Sequence, residues 1–215
     1  MLGSRCLAAR RWCGGFALLA LLSSPGAKAD EPLQVVRVEE DWELVLSNPD
    51  AASVAPQVTT AISPLGNMSG FHATLEINHK TVPSYRSGGL HWHVWSGETR
   101  LATRDHTSTV LASHANEAIS WTQSLELSDC GLTLSVTNGT STTWGSFGTE
   151  GRLRVTVLTD LTNLNGYSPN ASVAQSGIGF ASNRAQSLIL KRVRLTTATG
   201  QVSEDQTSRV VFEQD

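Results

Sequence analysis

Residues 71–78 read FHATLEIN: Phe71, Ala73, Leu75 and Ile77 alternate with His72, Thr74, Glu76 and Asn78. A period of two belongs to an extended chain with one buried face and one wetter face, because successive side chains of a strand point to opposite sides of the sheet. The same alternation recurs in Leu132, Leu134 and Val136 against Thr133, Ser135 and Thr137, and in Leu153, Val155 and Val157 against Arg152, Arg154 and Thr156. Further strands are expected at 33–38, 42–47, 58–62, 119–127, 173–180, 187–195 and 209–212, whereas no stretch of helical length carries a 3.6-residue apolar stripe.

Turn residues separate these runs: Asn48-Pro49, Ser96-Gly97, Asp129-Cys130-Gly131, Asn138-Gly139 and Asn165-Gly166. Asn138-Gly139 is the strongest hairpin signal, since both central residues of a type I′ turn need positive φ. Many short strands with turns between them predict an all-β protein, a two-sheet antiparallel β-sandwich of jelly-roll character. With no linker-like segment and no internal repeat, one domain is expected over residues 30–215.

The first 29 residues are set apart from that domain. Arg5, Arg10 and Arg11 form a basic start, Phe16 to Leu22 an apolar core, and Ala27-Lys28-Ala29 a small-x-small cleavage pattern, which together predict a signal peptide and a mature chain beginning at Asp30. The expected product is secreted or periplasmic. Its apolar core is shorter than the roughly 20 residues that a membrane span requires, so no span is expected.

Charge narrows the partners. The chain carries a formal −3, and removing the signal takes four basic residues and no acidic ones. Lys80 and Lys191 are then the only lysines. Nucleic acid and anionic membrane surfaces select clustered positive charge and are not expected as partners. Cys6 and Cys13 lie in the signal, so Cys130 has no intramolecular disulfide partner and leaves an intermolecular one open. Next to Gly131, with apolar residues beyond, it is expected to be buried.

The runs VEEDWELVLSNPDAASVAPQVTTAISP, GFHATLEINHK, GGLHWHVWSGE, TNGTSTTWGSFG, LTNLNGY and NRAQSLILKRVRL resemble a set of exported proteins from planctomycete-type bacteria. The resemblance spans nearly all of the chain after the signal. It implies a concanavalin-A-like sandwich and export, and it carries no catalytic residues, because that set has no assigned activity. It also implies glutamine-like polar residues at the GGLHWHVW strand, where this chain has histidines.

Three constellations bear on chemistry. Glu39, Asp41 and Glu43 have the E-x-D-x-E spacing of sandwich-fold glucanases, which on a strand puts three carboxylates on one face, as a retaining glycoside hydrolase requires of two carboxyls about 5 Å apart. Against this, Glu40 interrupts the apolar positions that should anchor such a strand. The alternative is a solvated acidic lead into a strand at 42–47, with Trp42, Leu44 and Leu46 turned inward.

The second constellation is histidine. All six, His72, His79, His91, His93, His106 and His114, fall in one window. His91 and His93 share a strand face with Trp95, and if 71–78 pairs with that strand, His72 and Glu76 join them. Such a set is able to hold zinc at about 2.0–2.1 Å, but H-x-H is unselective, and a polar strand surface over Leu90, Trp92 and Val94 is expected instead. No cofactor is expected.

The third is aromatic. Trp42, Trp92 and Trp121 are in phase with apolar neighbours and are expected in the core. Trp95 and Trp144 are not in phase, and with Tyr85 and Tyr167 in the loops they are the candidate ligand-binding residues of a saccharide surface, since an indole or phenol stacks on the C–H face of a sugar; the alternative is loop aromatics folded back as lids over an end of the sandwich. The sequence therefore predicts an exported, non-catalytic binding or structural module of the cell envelope or extracellular space, with a polysaccharide or another surface component as partner. The glycoside hydrolase built on Glu39, Asp41 and Glu43 is the alternative.

Overall fold

A computed structural model describes residues 33–47, 56–78, 89–106, 115–142, 145–149 and 151–215. Apart from Leu33, these belong to one compact unit, Gln34–Asp215. They form thirteen strands: β1 Val35–Leu46, β2 Gln57–Ile62, β3 Phe71–Ile77, β4 Leu90–Ser96, β5 Thr99–His106, β6 Ala118–Ser128, β7 Gly131–Ser141, β8 Gly145–Phe147, β9 Arg154–Val157, β10 Gly177–Phe180, β11 Ala185–Thr197, β12 Val202–Asp205 and β13 Arg209–Glu213. A short helix, α1, covers Pro169–Ala174.

The strands make two antiparallel sheets. The larger has eight strands in the order β12-β11-β1-β6-β7-β8, with β13 also on β11 and β9 also on β7. The smaller is β10-β2-β3-β4-β5. Alternate residues of both face a shared core: Val38, Trp42, Leu44 and Leu46 of β1 and Leu132, Leu134 and Val136 of β7 on one side, Ala73, Leu75 and Ile77 of β3 and Leu90, Trp92 and Val94 of β4 on the other. Hydrogen bonds among the described residues cross between the layers. Trp92 Nε1 donates to the Leu134 carbonyl at 3.3 Å, and the Gln123 amide donates to the Thr60 hydroxyl. The protein is a two-sheet antiparallel β-sandwich.

Several local expectations are corrected. The strands expected at 33–38 and 42–47 are one strand, β1, which runs straight through the acidic residues. The hairpin expected at Asn138-Gly139 is instead a bulge inside β7. Ser120 pairs with Thr140 and Thr122 with Thr137, so Asn138 and Gly139 together oppose Trp121. Asn138 takes the positive φ, 54°, while Gly139 is needed for space: a Cβ there would lie 2.2 Å from the Phe147 ring. The stretch expected to be a strand from 173 begins as helix, because Pro169 presets the first helical φ, and β10 forms only from Gly177. Cys130 sits exposed in the β6–β7 turn rather than buried.

The edge strand β5 escaped the alternation pattern. Among the described residues its outer edge has no partner strand, and it is rich in charge, as edges that resist edge-to-edge pairing are.

Candidate functional site

Strands β3, β4 and β5 lie side by side, and their pleat sends every second residue out of the sandwich. Three rows result on the outer face of the smaller sheet: Glu76–His91–Asp105, Thr74–His93–Thr103 and His72–Trp95–Arg100. Strand spacing and rise give the array a footprint of about 10 Å by 14 Å. The expected sharing of a face by His72, Glu76, His91, His93 and Trp95 is what the register produces.

The polar groups of the array are organised by one another. His91 Nδ1 lies 2.8 Å from Asp105 Oδ1, His93 Nδ1 lies 2.9 Å from Thr103 Oγ1, and His93 Nε2 is 3.6 Å from Glu76 Oε2. His72 Nδ1 is 3.1 Å from the Gly70 carbonyl, which only accepts, so this nitrogen carries a proton. The imidazoles of His91 and His93 stack at 5.9 Å, and each ring turns its Nδ1 toward β5. Among the described residues no group of three histidine, cysteine or carboxylate side chains is placed to hold a metal ion.

Trp95 is the aromatic centre of this face. Its indole is half-buried, runs parallel to the His72 ring at 6.3 Å, meets His93 edge-on at 6.0 Å, and donates Nε1–H to Thr74 Oγ1 at 3.3 Å. The Arg100 guanidinium lies 5.9 Å from the ring centroid. Trp95 is thus an apolar plate set among hydroxyls, imidazoles and a guanidinium.

Of the other aromatic candidates, Trp144 and Tyr85 lie outside the described residues. Tyr167 does not join Trp95. It follows Asn165-Gly166, packs against the core, and its hydroxyl donates to Glu40 Oε1 at 2.7 Å. Trp42, Trp92 and Trp121 are core residues as expected, the first and last stacked at 6.5 Å.

The three spaced carboxylates do share a face, the outer face of the larger sheet, and each is held by a cation. Asp41 receives Arg192 Nε and Nη2 at 2.7 and 2.6 Å and the Thr122 hydroxyl at 2.8 Å. Glu39 is paired with Arg37 at 2.8 Å and Arg194 at 3.6 Å, and Glu43 with Lys191 at 3.5 Å. Beside Asp41 and Glu43 an open depression of about 320 Å³ is lined by Ser120, Thr122 and Asn138.

The carboxylate that sequence reasoning misjudged is the one between them. Glu40 points inward and is wholly buried. It accepts hydrogen bonds from Ser172 Oγ at 2.6 Å, Tyr167 Oη at 2.7 Å and Trp42 Nε1 at 3.0 Å. Burial pushes its pKa up to about 7 against the pull of those three donors and of Arg209. The Tyr167 phenol is raised as well, by its own burial and then by the adjacent Glu40. Chemically, the cluster ties the 167–172 segment to the middle of β1.

Sequence reasoning also missed Arg100, Thr103 and Asp105, all on β5. No family model matches the chain, and no curated protein matches it.

Proposed function

We propose that this is an exported, non-catalytic binding module of the cell envelope or extracellular space that takes a polysaccharide on the outer face of its five-stranded sheet. Trp95 carries the reading. A half-buried indole that faces away from the core has no packing role equal to its size, and large aromatic side chains otherwise go to the interior. Its neighbours Thr74, Thr103 and His72 supply the donors and acceptors that orient sugar hydroxyls. Export rests on the basic, apolar and small-residue order of residues 1–29.

The hydrolase alternative has less support. A nucleophile and an acid must be free to meet the sugar, whereas Glu39, Asp41 and Glu43 are each engaged by a basic side chain.

A glycan array probed with the chain lacking residues 1–29, beside its Trp95→Ala variant, tests the proposal. Binding that weakens at least tenfold in the variant, which still folds but melts lower because the indole is half-buried, is expected. A blank array from folded protein overturns it. Mass analysis after expression in a secreting bacterium should find a chain starting at Asp30, and retention of residues 1–29 would remove the export half of the proposal.

A further inference from the structure

The charges on the outer face of the five-stranded sheet are sorted by row. In the first row His91 sits between Glu76 and Asp105. In the second, His93 reaches back to Glu76. Both carboxylates of the array are thereby matched to imidazoles. The third row, His72–Trp95–Arg100, contains no carboxylate, and Arg100 is exposed and makes no ion pair among the described residues.

A specific distortion puts Arg100 in that row. Val94 pairs with Ala102, so an unbroken antiparallel register would set Leu101 opposite Trp95 and Arg100 opposite Ser96. The ladder instead slips by one residue. Trp95 pairs with Arg100 and Ser96 with Thr99. Bulges of this kind re-aim a side chain at the expense of ladder pairing, and Leu101, displaced from the slot, is left 46% exposed. An apolar side chain has thus been exchanged for a cation beside the one outward-facing indole of the array.

We infer that the ligand of this face is an acidic saccharide, with its ring on the Trp95 indole and its carboxylate or sulfate on the Arg100 guanidinium. The inference rests on the saccharide-binding reading above and specifies its substrate class. The planar guanidinium suits either anion, because both present paired oxygens to its fork of N–H donors. Lying near the ring plate, it meets a substituent of the same sugar that stacks there. The parallel His72 ring lies across Trp95 from Arg100, on β3.

Matched probes separate the possibilities. Oligogalacturonate is compared with its methyl ester, and dextran sulfate with dextran, by calorimetry against the chain lacking residues 1–29 and against its Arg100→Gln and Trp95→Ala variants. Expected are a preference of at least tenfold for one or both anionic probes over their neutral counterparts and weakening as salt is raised from 50 to 500 mM. Arg100→Gln should lower that affinity to the neutral level, and because Arg100 is exposed on an edge strand the melting temperature should not move. Whichever anionic probe responds identifies the anion as carboxylate or sulfate. Equal, Trp95-dependent binding of neutral and anionic probes overturns the acidic-ligand inference and leaves the saccharide reading standing. Anionic binding that Arg100→Gln does not change overturns it too. No binding of any of the four probes, together with a blank glycan array, overturns both.

Discussion

Glu40 gives the sharpest physical prediction, because its folded and unfolded states differ so much. Its carboxyl has a pKa of about 7 in the folded chain against 4.5 when solvated. A folded state that holds the proton more tightly than the unfolded state is stabilised at low pH. The contribution is therefore fully present below pH 4.5, is lost as pH rises from there to 7, and is gone above that. At about 1.4 kcal/mol per pKa unit the loss is ~3 kcal/mol. Glu40→Gln should flatten this dependence. A glutamine whose oxygen accepts from Trp42 Nε1 is able to donate its two N–H groups to the hydroxyl oxygens of Tyr167 and Ser172, so the variant resembles the protonated acid. Urea unfolding followed by tryptophan fluorescence at pH 5, 6, 7 and 8 measures both proteins, and their difference cancels the titration of the histidines. The variant should match the parent near pH 5 and exceed it by ~2–3 kcal/mol at pH 8. Parallel profiles, or a parent that gains on the variant as pH rises, would refute the assignment of the buried proton to Glu40. Glu40→Leu separates desolvation from bonding. It leaves three donors without an acceptor, at ~1–3 kcal/mol each where they stay dry, and should be less stable than Glu40→Gln throughout.

Two further outcomes follow from packing and from the histidine array. Gly139→Ala should destabilise by ~1–3 kcal/mol through overpacking against Phe147, and Phe147→Leu in the same chain should recover part of the loss; an unchanged denaturation midpoint for the single variant would show that the bulge has room. Replacing both His91 and His93 by glutamine should leave stability within ~1 kcal/mol and should leave the response of the melting temperature to zinc and to a chelator the same as in the parent. A chelator-sensitive melting temperature in the parent that disappears in the double variant would establish a metal site there instead.

The chain's own pattern determined which residues face in and which face out wherever strands stayed in simple register. Residues 72–77 alternate in burial as they alternate in hydropathy, and that regularity is why the two-layer β architecture and the common face of His72, His91, His93 and Trp95 were legible from one sequence. The same rule put Glu39, Asp41 and Glu43 on one face correctly. It failed at Glu40, where a buried carboxylate broke the apolar series. The groups that make its burial tolerable, Tyr167 and Ser172, lie 127 and 132 residues away, and nothing local announces them. Bulges were the other blind spot. A one-residue slip depends on how two whole strands dock, so the placement of Arg100 beside Trp95 and of Asn138-Gly139 opposite Trp121 exists only in the assembled sheets. Sequence periodicity fixes the side of a sheet a residue occupies, because the pleat is a property of each strand by itself. Partnership across strands and layers is decided by tertiary packing, and in this protein that packing decides both the buried acid and the composition of the candidate binding face.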